Sequence, residues 1–152
     1  MILRWLLASI HLVGLALAVG SVWVRGRALA GPVDADAMKR ALAADTVWGI
    51  SAILLIGTGL YRAFGGVEKG TAYYLHNQWF FAKMGILLLI LALEIWPMVT
   101  LIRWRIRDSR GLHPDTAAAP AIARISMVQT VLVVGMVMAA TAMARGLGVM
   151  AP

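Results

Sequence analysis

Four nearly uncharged apolar stretches divide the chain, and each is framed by charged or amide residues. The first runs from Trp5 to Val24, between Arg4 and Arg25. The second runs from Thr46 to Tyr61, between Asp45 and Arg62; the third from Trp79 to Ile102, between Gln78 and Arg103; the fourth from Ile125 to Ala144, between Arg124 and Arg145. A helix needs about 20 apolar residues to cover a hydrocarbon core of roughly 30 Å. The second stretch reaches that length once Ala41 to Asp45 and Ala63 to Phe64 are added. The pattern lacks the strict alternation of barrel strands, so it predicts helices. The expected architecture is an all-α integral membrane four-helix bundle in one domain, residues 1–152, with spans at about 5–24, 45–64, 79–102 and 125–144.

Between the spans the punctuation is local. Gly31-Pro32 closes the first turn, and Asp34 is a candidate N-cap with Asp36 in the first helical turn. Met38 and Leu42 share a helix face, which predicts an amphipathic extension leading into the second span. Residues 63–78 carry Gly65, Gly66 and Gly70, then Tyr73 and Tyr74. These tyrosines, with Trp5, Trp79, Trp96 and Trp104, are expected at the membrane interfaces. Arg105 to Pro120 is read as a polar loop. The pairs Gly14 and Ala18, Ala16 and Gly20, and Gly135 and Ala139 have the spacing that lets helices approach closely in lipid.

Composition agrees: hydrophobic residues make up 61% of the chain, and its mean hydropathy is +0.82. The net charge of +7 is explained by topology rather than by nucleic acid. The connections after the first and third spans hold Arg25, Arg27, Lys39, Arg40, Arg103, Arg105, Arg107, Arg110 and Arg124. The opposite side holds Arg4, Arg62, Lys69 and Arg145. Nine cations against four predict that the first set is cytoplasmic and both termini outside. The N-terminal stretch imitates a signal peptide, yet it runs on to Val24 and meets Arg25 and Arg27, so it is read as a retained helix. With no cysteine, thiolate metal sites and thiol catalysis are excluded. The serines lack a visible base and acid, and no glycine-rich phosphate loop follows a strand.

Polar residues within lipid are costly and therefore informative. His11 lies on a face with Gly14 and Ala18, which leave space beside its ring, and Lys83 lies at similar depth one turn into the third span. With His76, Arg62 and Arg145 they predict a basic outer mouth suited to an anionic ligand such as a porphyrin, with Glu68 the nearby acid. Glu94, eleven residues after Lys83, lies about 16 Å deeper on the same face. It anchors an expected inner polar cluster with Gln129, Asp45 and Ser51, paired with Gln129 or Arg124. Pro97 is expected to bend this helix. Each residue also has a structural reading: His11 bonding a neighbouring helix, Lys83 snorkelling, Glu94 joining helices, His76 solvated in a loop.

The run from Tyr61 to Asn77, together with Phe81-Ala82-Lys83-Met84-Gly85 and Leu93-Glu94-Ile95-Trp96-Pro97-Met98-Val99-Thr100, resembles a bacterial inner-membrane family, domain of unknown function 2214. That family implies no activity. A more distant similarity is to HemJ-type protoporphyrinogen oxidases and the CopD copper-resistance family. Both have a histidine early in the first span; in the HemJ pattern it is taken as a haem ligand and a lysine after alanine is essential, and His11 and Lys83 match those two positions. HemJ-type sequences tend to have histidine where this chain has Phe81 and again where it has Glu94. The resemblance implies a bundle binding b-type haem through His11 as the metal ligand, and if it is an enzyme, a haem-dependent membrane oxidoreductase. Two other classes stand beside it. One is copper handling through methionines such as Met136 and Met143. The other is a non-catalytic scaffold or accessory subunit, in a homo-oligomer or a larger membrane complex.

Overall fold

The computed structural model describes residues 1–66 and 71–149, and the expected Glu68, Lys69 and Gly70 lie outside them. Four long helices carry the fold: α1 (Ile2–Ala28), α2 (Ala35–Phe64), α4 (Gln78–Ser109) and α5 (Ala119–Ala144), with a single-turn α3 (Thr71–Leu75) before α4. All four are long and apolar enough to cross a membrane. Each is longer than its apolar stretch, because hydrogen bonding continues into the charged flanks. Lys39 and Arg40 are therefore helical, and so are Arg103, Arg105 and Arg107, which the sequence placed in a loop.

The ends follow local chemistry. Asp34 caps α2 by accepting from the Ala37 N–H at 2.7 Å. Asn77 caps α4 through the Trp79 N–H at 2.9 Å. Its amide also donates to the Leu147 carbonyl at 3.0 Å, and the Gln78 N–H donates to Gly148 O at 2.9 Å. One buried asparagine thus starts α4 and ties down the segment after α5. Gly148 has φ +71°, and a Cβ there would meet the Trp79 ring at 2.7 Å, so both backbone and space require glycine.

α1 packs along α2 and α5, α4 packs along α5, and α2 and α4 meet only briefly. α1 and α4 therefore stand diagonally across the bundle. Ala18, Val22, Trp48, Ile90 and Val133 form the central apolar cluster. A second cluster at one end holds Met38, Leu42, Leu101, Trp104 and Ile122. Trp104 is therefore a core residue rather than part of an interfacial belt. Tyr74 is likewise buried beside Phe80, and the Tyr73 hydroxyl donates to Met143 O at 2.6 Å. Of the small-residue pairs, Gly14, Ala18 and Ala139 are buried, whereas Ala16 and Gly20 face outward. Most remaining large apolar side chains are exposed, as lipid contact requires. Pro97 is buried within a continuous α4.

Candidate functional site

The bundle holds two polar sites, one toward each end. The inner one centres on Arg25, which the sequence reading placed in a loop as a topological cation. Its side chain is fully buried. The reason is helical phase: α1 continues to Ala28, and Gly14, Ala18, Ser21, Val22 and Arg25 share its buried face. At Gly26 a Cβ would lie 3.1 Å from Ser126 Cβ and 3.3 Å from the Ala123 carbonyl. The bare glycine lets α5 close against α1 and brings Ser126 to the guanidinium.

A guanidinium has five N–H donors, and all five are used. Nε donates to Ser126 Oγ at 3.0 Å. Nη1 donates to Asp45 Oδ1 at 2.9 Å and to Glu94 Oε1 at 2.6 Å. Nη2 donates to Glu94 Oε2 and to Gln129 Oε1, both at 2.8 Å. The Glu94 contact is the bidentate fork that makes arginine pairs strong, and it crosses the bundle axis between diagonal helices. Gln129 Nε2 returns a bond to Glu94 Oε2 at 2.8 Å and reaches Ile90 O at 3.3 Å. Arg105, half exposed, lies 3.6 Å from Asp45 Oδ2 and donates to Leu42 O at 3.0 Å. Two guanidiniums thus balance two carboxylates. The Trp48 ring, 5.9 Å from the Arg25 guanidinium carbon, adds a cation–π contact. Side chains from α1, α2, α4 and α5 meet in this one network.

Two expectations at this end need correction. Arg124 is exposed and donates to Pro120 O within its own helix, so it does not reach Glu94. Ser51 is buried, yet its hydroxyl has no hydrogen-bond partner and so stands outside the Arg25 network. Arg25 itself was missed. The sequence signal was present in the repeat His11, Gly14, Ala18, Ser21, Arg25 along one face, but a charge at the end of an apolar run reads first as an anchor.

The outer site is smaller. His11 Nδ1 lies 2.8 Å from Thr58 Oγ1 on α2, and the ring packs against Gly59. Thr58 Oγ1 also donates to Leu54 O at 2.6 Å. Its one proton is therefore committed, so it accepts from His11 Nδ1–H. In the neutral ring this fixes the tautomer and leaves the lone pair on Nε2. Lys83 and Arg62 lie within electrostatic reach of the ring. Arg145, exposed, caps the end of α5. His76, the residue after α3, is exposed and its Nδ1 donates to Ala72 O at 2.8 Å. Met136 and Met143 pack against separate apolar clusters. Among the described residues no three His, Cys, Asp or Glu side chains gather as a metal cage.

A family model described as "Predicted membrane protein (DUF2214)" matches residues 3–148, and the chain belongs to that family. No curated protein matches the chain, and no solved structure does.

Proposed function

We propose that this member of the family is a bacterial inner-membrane protein that binds a b-type haem or a related porphyrin at its outer site, with His11 Nε2 as the axial ligand. The observation that carries this reading is the hydrogen bond from His11 Nδ1 to Thr58, which leaves Nε2 as the coordinating atom. Metal-binding histidines use their second nitrogen in this way, and the partner fixes tautomer and ring orientation. Lys83 and Arg62, whose charges reach the ring, supply attraction for the carboxylates of an anionic porphyrin. The residues present supply His11 as one axial nitrogen, and His76, whose Nδ1 is likewise hydrogen-bonded, keeps its Nε2 as a candidate second ligand. Such a cofactor supplies electron transfer when bound, and the protein sets its ligand, charge and access. The distant likeness to HemJ-type proteins, which rests on His11 and Lys83, points the same way. The excess of cations at the Arg25 end supports a cytoplasmic position for that end, with eight left after Arg25 is removed from the nine.

The test is an optical spectrum of detergent-purified protein from haem-replete membranes, oxidised and reduced. A Soret band lost in His11→Ala and weakened or shifted in Thr58→Val is expected. A colourless, folded protein overturns the reading.

A second reading is favoured by the inner site. A fully satisfied network joining four helices is what a rigid, non-catalytic scaffold or accessory subunit requires. Native purification that returns a constant partner and no chromophore would establish it.

A further inference from the structure

A groove of about 480 Å³ opens between the last turns of α4 and the segment leading into α5. It falls in the range of roughly 300–1,000 Å³ typical of small-ligand pockets. Arg103 and Arg107 line it, one helical turn apart on the same face, above Trp104, Ile106 and Ala118. Both arginines are exposed, and among the described residues neither guanidinium has a hydrogen bond or ion pair. They differ in this from Arg25, Arg105 and Arg124, each of which has at least one donor hydrogen-bonded. Asp115 lies on the same rim, with one oxygen accepting from the Ala117 N–H at 3.0 Å. Two guanidiniums and one carboxylate leave the groove with one net positive charge.

Position decides what such a groove meets. α4 has 32 residues, or about 48 Å at 1.5 Å per residue. The hydrocarbon core takes up only about 30 Å of that. Trp79 lies in the first turn of α4, and the exposed apolar side chains that follow include Leu88, Ile95, Val99 and Ile102. Arg103 and Arg107 are the first free cations beyond that surface. They therefore stand at headgroup depth, with an apolar floor beneath them that continues toward the acyl chains.

We infer that this groove is a binding site for the phosphate of an anionic phospholipid, held by Arg103 and Arg107, with the acyl chains running along the exposed face of α4. Guanidinium forks suit phosphate oxygens, and basic pockets at the ends of transmembrane helices recognise anionic headgroups. The site is independent of the outer one and does not rest on any porphyrin being bound.

The test is the thermal stability of the purified full chain titrated with short-chain phosphatidylglycerol, short-chain phosphatidylcholine or inorganic phosphate. Phosphatidylglycerol is expected to stabilise the protein at low concentration, and the other two not. Arg103→Gln/Arg107→Gln should weaken the apparent affinity roughly thirtyfold, from two headgroup contacts. Arg27→Gln/Lys39→Gln removes two exposed charges from the same end of the bundle and should change it by less than about twofold, since exposed charges at a distance are screened. Equal losses in the two double variants would show a diffuse field and overturn the site. Equal stabilisation by phosphatidylcholine would overturn the role of charge, and equal stabilisation by inorganic phosphate would overturn the lipid as ligand.

Discussion

Arg25 shows what one buried charge demands. Removing a partner from a buried ion pair costs about 3–5 kcal/mol, because the remaining charges stay desolvated. Arg25→Met should therefore lower thermal stability in detergent by that order. Adding Asp45→Asn and Glu94→Gln to Arg25→Met should recover part of the loss, since no uncompensated carboxylate then remains. Arg25→Lys keeps the charge but has three donors in place of five and no planar fork. Its stability should fall between wild type and Arg25→Met. At this scale the sequence was partly legible. Asp34 is the cap its position indicated, and Glu94 does meet Gln129. Arg25 was obscured because hydropathy ranks residues by type and assigns a terminal charge to the interface. Its phase along α1, which decides burial, becomes visible only once the helix is known to extend to Ala28.

At the scale of elements, the helices were easy to find and their ends were not. Apolar runs mark where lipid begins and stops, while the backbone continues to coil through Arg103–Ser109 because nothing there breaks it until Gly111 at φ +69°. The junction of α4 with the segment after α5 was also hidden, since it joins residues seventy apart through Asn77. Two variants test it. Asn77→Ala removes an N-cap and a tether, and should cost about 1 kcal/mol for the cap alone. Gly148→Ala combines a left-handed φ with a clash against Trp79. Both should speed proteolytic cleavage after Ala144 while leaving helix content by circular dichroism nearly unchanged. An unchanged cleavage rate would mean that this segment is not held by α4.

For the whole molecule, four antiparallel spans place His113 at one end of the bundle and Leu147 at the other. The chain has no cysteine, so His113→Cys and Leu147→Cys give clean reporters. An impermeant thiol reagent applied to intact cells should label one and spare the other. Labelling of Leu147→Cys would also agree with the cytoplasmic position proposed for the Arg25 end. The bundle was legible as a whole because lipid imposes length and hydropathy on every span. Its internal geometry, with α1 diagonal to α4, depends on small contacts such as Gly26 against Ser126 that no periodicity announces. The Arg25 network also bears on how the protein is made. Its partners lie 20, 69, 101 and 104 residues further along the chain. A ribosome delivers the cation to the membrane well before most of what neutralises it. The first hairpin can offer Asp45 alone, and Glu94, Ser126 and Gln129 arrive only with the last two helices. Until synthesis is nearly finished, the nascent chain carries an under-solvated charge that favours water, the translocation machinery or a chaperone over lipid. Completion of the fourth helix is then the event that releases it, and chains stopped short of Gln129 should be recognised as unfinished and degraded.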